Sequence, residues 1–351
     1  MKICTISTGI FAVCPPNGTV GYSGLECIAY HTAKGLAERG HEVSLIAPEG
    51  SSCPGVQIIP TGKPGDGDER RSYSRYWQEL LKFDVIIDHS WQKSSYLLKQ
   101  EGRINAPVLG ILHAPCHTMY QSPPPVDKPC IICISNDQAN HWRALHPLSD
   151  ARVCYNGIDT EYHKAMNISR SNRFLFLARF SSIKCPDTCI QAARQAKVGL
   201  DLIGDTSITN EPEFFQQIQA ACDGKQIKMV GPATRGETVW WFSQAHAMLH
   251  LAHRYREPFG LAPVEAMACG TPVVAWRFGA LPETVNHGQT GFLVKSLEEA
   301  VVACNELKDM DAGRLKLMRE ACREQVLKFT VQKMVQRYEE LCIEAIEGGG
   351  W

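Results

Sequence analysis

Twice along this chain, short apolar and β-branched runs alternate with stretches of helical periodicity, a pattern that admits little besides parallel sheets flanked by helices. In the first half the runs are KICTIS, HEVSLIAP, DVIID, PVLGILH and CIICIS, with GLECIAYHTAKGLAERG between the first two. There Leu25, Ile28, Ala29, Thr32 and Leu36 share one helical face, and Gly40 stands where a left-handed cap would end it. From Arg173 the alternation restarts with FLFLARF, DLIG, IKMVG, AMLHLA, PVVAW and GFLV. After Ser296 only helical periodicity remains, to about Glu347, and the GGGW end is expected to be loose.

Two tandem sheets suit a chain of 351 residues, which exceeds the size of a single hydrophobic core. The expected division is residues 1–158, a first Rossmann-like lobe; 159–330, a second; and 331–351, a terminal helix packing back towards the first lobe. The stretch from Cys154 to Asn167 has turn chemistry at Asn156 and Gly157, then no periodicity, and reads as the linker. The charged, turn-rich residues 60–75 read as an exposed loop leading into a helix at Tyr76–Lys82.

A balance of 36 basic and 37 acidic residues gives no nucleic-acid surface, and no window reaches the length of a membrane span. The opening MKICTISTGIFAVCPP is interrupted by Thr5, Ser7, Thr8 and Gly9 and reads as a buried strand rather than an export signal. Fifteen cysteines without an export signal imply a reducing, cytoplasmic setting, with peripheral membrane association left open. The Cys130–Cys133 pair lies inside an apolar run, and His113, Cys116 and His117 lack a second ligand cluster, so no metal is expected.

Ligands of such sheets sit beyond the carboxyl ends of the strands, and four loops there carry chemistry. GTVGYSGLE brings Gly18, Gly21, Ser23 and Gly24 to a helix start, with spacing unlike a nicotinamide fingerprint. LARFSSIK places Arg179 and Lys184 past a strand, a fork and a point charge suited to a diphosphate. In EPFGLAPVE, Glu257 precedes a helix expected near Phe259, with Gly260 and Leu261 offering backbone to a phosphate and Glu265 placed for ribose hydroxyls. FGALPE, Phe278 to Glu283, is a further strand-to-helix turn. Taken singly, each loop has an ordinary alternative as a solvated pair or a capped helix.

Together, ARFSSIK, EPFGLAPVEAMACGTPVVAWRFGALPE and TGFLV resemble the C-terminal lobe of family 4 retaining glycosyltransferases, with their Glu-x7-Glu pair. YSGLE, RGHEVSLIAP, FDVIIDHS, ILHAP, ICISN and YNGID are similar to first-lobe segments of that family, in order. The resemblance implies the GT-B fold, two doubly wound lobes facing a central cleft. It implies retaining, metal-independent transfer of a hexosyl unit from a nucleoside diphosphate sugar, with a UDP-sugar favoured and GDP-mannose next. The acceptor is a hydroxyl of a glycan, a lipid-linked sugar or a small metabolite. By this resemblance Arg179 and Lys184 neutralise the diphosphate, Glu265 holds the ribose, Glu257 holds the sugar, and His113 reaches the sugar from the first lobe. The chain departs from the family pattern at Cys185, Ser23-Gly24 and Gly279-Ala280, where the family has Gly or paired Gly.

Three rivals stand beside this reading. A metal-dependent transferase would use Asp66-Gly67-Asp68, which lacks a leading strand. A sugar-nucleotide epimerase and a non-catalytic nucleotide-sugar-binding protein would share the fold.

Overall fold

A computed structural model describes residues 1–15, 24–65, 69–119, 124, 126–207 and 209–351. Gly18, Gly21, Ser23 and the Asp66-Gly67-Asp68 triplet lie outside the described residues. The described residues up to Gly157, with Phe329–Trp351, form one compact unit; Ile158–Lys328 form another.

In the first unit seven strands run parallel: β1 (Lys2–Ile6), β2 (Glu42–Ala47), β3 (Gln57–Pro60), β4 (Val85–Asp88), β5 (Val108–Leu112), β6 (Ile131–Cys133) and β7 (Ala151–Val153). Their order is β3-β2-β1-β4-β5-β6-β7, with Ile6 paired to Ile46 on one side and to Asp88 on the other. The second unit repeats the plan with β8 (Phe174–Leu177), β9 (Leu200–Ile203), β10 (Ile227–Gly231), β11 (Met248–His250), β12 (Val273–Trp276) and β13 (Gly291–Val294), ordered β10-β9-β8-β11-β12-β13. Strand order therefore reverses between β1 and β4 and again between β8 and β11. At each reversal the flanking crossovers diverge, opening a crevice at the carboxyl ends.

The strands are buried on both faces, as parallel sheets require. Phe174 and Phe176, with Leu200 and Leu202 and with Leu249 and Leu251, build one core of the second unit at the two-residue period of a strand. In the first unit the Val331–Gly348 helix lays Met334, Val335, Tyr338, Leu341, Cys342 and Ala345 inward at helical spacing. It packs on the Gly24–Glu38 helix, where Gly35 allows the approach: a Cβ there would come within 2.4 Å of Val335 Cγ2.

Two local expectations are corrected and two are sharpened. The helix of the charged loop spans Glu69–Tyr76, and Trp77–Lys82 is a 3-10 turn rather than an α-helix. Tyr73, Tyr76 and Leu80 are buried, so the segment is anchored by aromatic rings that its many charges conceal. The two units divide between Gly157 and Ile158, inside the stretch expected as linker, which is itself ordered: His163 is buried and its amide bonds Asp159 O at 2.9 Å. The helix expected near Phe259 begins at Leu261, after Gly260 at φ 87°. The GGGW end is held, because Gly350 N–H bonds Ala345 O at 3.0 Å and the Arg152 guanidinium lies 5.2 Å from the Trp351 ring. All fifteen cysteines are free thiols.

A Cβ on Gly157 would lie 2.6 Å from Val331 Cα and 2.9 Å from its nitrogen, against backbone that cannot rotate away. Gly157→Ala is expected to lower unfolding stability by about 1–3 kcal/mol, read from urea titration.

Candidate active site

The second unit's crevice begins at the end of β8. Gly204, at φ 155°, passes so close to Ala178 that a Cβ would lie 2.0 Å from the Ala178 oxygen. Beside this contact Arg179, Gly204, Asp205 and Thr238 line a small cavity of about 30 Å³. The Arg179 guanidinium has no hydrogen-bond or ion-pair partner among the described residues. The chain then turns through a 3-10 segment, Ser182–Lys184, whose Ser182 amide donates to Glu211 at 2.6 Å. Cys185 ends that turn in the left-handed region, φ 52° and ψ 48°, which accounts for the family's glycine there. A non-glycine residue in this conformation costs on the order of 1 kcal/mol.

Lys184 Nζ reaches Glu257 Oε2 at 2.6 Å and sits 4.8 Å above the Tyr255 ring. His250, the last residue of β11, brings Nε2 to 3.4 Å from the same oxygen. Burial alone would push the Glu257 carboxyl upward, but the Lys184 and His250 charges and their contacts outweigh it and hold its pKa at about 2. Tyr255 is raised, first by burial and then by Glu257, while Arg179 acts the other way. Two groups expected to face a ligand separately, Lys184 and Glu257, therefore face each other. The ammonium keeps further N–H groups for a second acceptor.

The Glu257 backbone is clamped from the next crossover. Gly279, at φ 64°, packs so tightly that a Cβ would lie 2.4 Å from Glu257 O and 2.7 Å from Glu257 N. Ala280 N–H then donates to Glu257 O at 2.8 Å. The FGALPE turn thus acts on the site through main chain, which explains how Ala280 can replace a second glycine.

Glu265 lies in the Leu261–Ala268 helix, nearly sealed at 2% exposure. His163 Nε2 stands 3.5 Å and Arg235 Nη2 4.0 Å from its Oε1. Burial holds His163 below the usual histidine range despite Glu265 nearby. The Phe259 ring is buried, and the amides of Leu261 and its neighbour open the helix after Gly260.

In the first unit His113 follows β5, and Gly24 opens its helix. His113 Nε2 meets His89 Nδ1 at 2.9 Å. Beneath them Asp88 accepts from Ser90 Oγ at 2.5 Å, from Tyr73 at 2.8 Å and from Ser95, while the buried Lys93 ammonium donates to Ser90 O at 2.6 Å and Asp88 O at 3.1 Å.

Sequence reading missed His250, Tyr255, His163, Arg235 and His89. His250 and His89 each stand at a strand's carboxyl end, a place that could have drawn attention. His163 lay in a stretch read as linker, and Arg235 opens a helix as an unremarkable surface cation would.

The sequence model described as "Glycosyl transferases group 1" matches residues 159–325, and "Glycosyltransferase Family 4" matches residues 22–162. The chain belongs to glycosyltransferase family 4. Among curated relatives, a D-inositol 3-phosphate glycosyltransferase of Catenulispora acidiphila is 25% identical, covering 99% of this chain and 97% of its own. N-acetyl-alpha-D-glucosaminyl L-malate synthase of Bacillus anthracis is also 25% identical, over 93% of this chain and 95% of its own. Sucrose-phosphate synthase from Thermosynechococcus elongatus superposes with a TM-score of 0.82 at 19% identity, covering 99% of both chains. Anabaena HepE, solved in complex with UDP and glucose, gives 0.75 at 18% identity, with 97% of this chain and 98% of its own covered. These structures establish the GT-B fold for this family 4 enzyme.

No helix among the described residues is long and apolar enough to cross a membrane, and no group of three or more His, Cys, Asp or Glu there is arranged to hold a metal ion.

In this glycosyltransferase Gly279→Ala must displace the Glu257 backbone. The expected loss of sugar transfer is at least about tenfold with the protein still folded, checked by initial rates beside circular dichroism. A second expectation follows from the depressed Glu257 carboxyl. Its native pKa lies below the ordinary 4.5, so the unfolded chain binds the proton more tightly. The stability it contributes is complete above about pH 4.5 and is lost as pH falls towards 2. In Lys184→Met the native carboxyl rises towards the ordinary range, so this acid-side loss shrinks or disappears, seen in urea midpoints measured across pH for both proteins.

Proposed function

We propose that this enzyme transfers a hexosyl unit, with retention, from a nucleoside diphosphate sugar to a hydroxyl acceptor. The donor favoured is a UDP-sugar, with GDP-mannose next; the second unit takes the donor and the first the acceptor. The observation that carries this is the Lys184–Glu257 pair with Arg179, whose guanidinium has no hydrogen-bond or ion-pair partner among the described residues, at the strand reversal between β8 and β11. Two cations and a helix N-terminus suit a diphosphate, and a fixed carboxylate suits paired sugar hydroxyls. Relatives named for D-inositol 3-phosphate and L-malate support a small hydroxyl acceptor, and a fold neighbour solved with UDP and glucose supports the donor class.

In this reading Arg179, Lys184 and the amides following Gly260 take up the charge that develops on the leaving diphosphate, so no metal is required. Glu257, with a pKa of about 2, is a poor base at neutral pH. It stays anionic, accepts hydrogen bonds from the sugar, and favours positive charge growing at the anomeric carbon. The acceptor oxygen attacks from the face the diphosphate leaves. As the carbon–oxygen bond to phosphate breaks and the new glycosidic bond forms, the acceptor's proton passes to the departing phosphate oxygen. Glu265, steadied by His163 and Arg235, receives the ribose hydroxyls. His113 hydrogen-bonds the transferred sugar. Fifteen free thiols support action in the reducing cytoplasm.

A thermal-shift panel of UDP-, GDP- and ADP-sugars tests the donor, since only a true ligand raises the melting temperature at fixed concentration. Glu257→Ala is expected to lower turnover by roughly 10²-fold or more while UDP still shifts the melting temperature. Near-normal turnover would remove Glu257 from the mechanism. Interconversion of donor sugars without an acceptor would establish an epimerase instead, and loss of transfer in EDTA would restore a metal.

A further inference from the structure

Two imidazoles meet at the carboxyl ends of β4 and β5. His89 Nδ1 and His113 Nε2 are 2.9 Å apart, their rings stacked with centroids 5.1 Å apart and 25° between planes. His89 is fully buried, and the Tyr338 ring of the Val331–Gly348 helix closes against it edge-on at 5.9 Å. The far nitrogen of His89, Nε2, is buried and has no hydrogen-bond partner. His113 is only partly buried, and its Nδ1 makes no hydrogen bond among the described residues.

We infer that His89 is a positioning residue that fixes His113 as the tautomer protonated on Nδ1, so that His113 meets a sugar oxygen as a hydrogen-bond donor. This rests on the reading of His113 given above.

Burial keeps both rings neutral at physiological pH: it holds His89 at about 3, with the Lys93 ammonium adding to the effect. Burial also lowers His113 well below its ordinary value, helped by His89 and Lys93. The charged neighbours facing the pair are therefore Lys93 and, through its own hydrogen bonds to Tyr73, Ser90 and Ser95, Asp88. Tyr338 faces it from the terminal helix.

Two neutral imidazoles 2.9 Å apart hold one proton between them, and there are two ways to place it. If His113 donates from Nε2, then His89 must carry its own proton on Nε2, where no acceptor exists. That arrangement leaves a buried N–H unmade, the defect that folded proteins avoid most strictly. If His89 donates from Nδ1, its Nε2 keeps only an unshared pair, and Lys93 opposes any second proton. His113 then accepts at Nε2 and must bear its proton at Nδ1, the atom left free for substrate. A fixed tautomer set by the partner nitrogen is the usual device for making an imidazole a committed donor.

The test uses the full chain labelled with ¹⁵N at histidine, the His113 signals being assigned by their loss in His113→Gln. Long-range proton–nitrogen spectra of the unmodified enzyme are expected to show His113 neutral with its proton on Nδ1. His89→Phe removes the donor: His113 becomes a mixture of tautomers, kcat/KM falls roughly tenfold, and the acid limb of its pH profile moves upward as His113 becomes easier to protonate. His89→Asn returns an N–H near the Nδ1 position and recovers most of the activity and the single tautomer. A proton on His113 Nε2 in the unmodified enzyme overturns the inference, even if His89→Phe fails to fold. So does a His89→Phe enzyme with unchanged rate and pH profile. His113→Ala separates the two layers: unimpaired transfer in that variant defeats the assignment of His113 to the sugar, whereas a large loss with His89→Phe unchanged defeats only the role of His89.

Discussion

The second unit is organised around one buried carboxylate that must remain charged. Glu257 is nearly closed to water, and without Lys184 and His250 burial would drive it to its neutral form. Keeping it anionic fixes much else. The 3-10 turn must end with Lys184 aimed inward, which requires the left-handed residue at Cys185. The turn at Gly279 must lie flat on the Glu257 backbone, which leaves no room for a side chain. The end of β11 must present an imidazole rather than an aliphatic group. Three loops are thus committed to one glutamate, two to its carboxylate and one to its backbone, and the catalytic proposal inherits its geometry from that commitment.

The doubly wound plan was legible because parallel strands buried on both faces read as continuous apolar runs, which FLFL and DVIID show plainly. The two strands left unread are β3 and β7, four and three residues long at one margin of the sheet each. QIIP is half-exposed and ends in proline, so it lacks the signal of a central strand. The Glu69–Tyr76 helix was hidden for a different reason: its anchors are tyrosines among arginines and glutamate, and their burial is decided by the neighbouring core rather than by local pattern.

At the site, residue types and their order were legible, whereas their mutual arrangement was not. Lys184 and Glu257 are 73 positions apart, and nothing local says that they pair. The same holds for His163 with Glu265, brought together across about a hundred residues by the fold of the second unit. His89 and His113 are separated by 24 positions on neighbouring strands, and strand order alone makes them adjacent. The departures from the family's glycines prove intelligible once backbone is seen: Cys185 adopts the torsion a glycine would supply, and Ala280 needs only its amide.

The first unit is discontinuous in sequence, since its final helix, Val331–Gly348, follows the whole of the second unit. A ribosome making this chain releases the Gly24–Glu38 helix long before its partner exists. Ile28, Leu36 and the notch at Gly35 must wait through about 290 residues of further synthesis, an interval of roughly fifteen to sixty seconds at ordinary elongation rates. The second unit, contiguous from Ile158 to Lys328, can fold as it emerges. Vectorial synthesis therefore completes the later-encoded unit first, and the earlier one spends that interval with an apolar face in need of shielding.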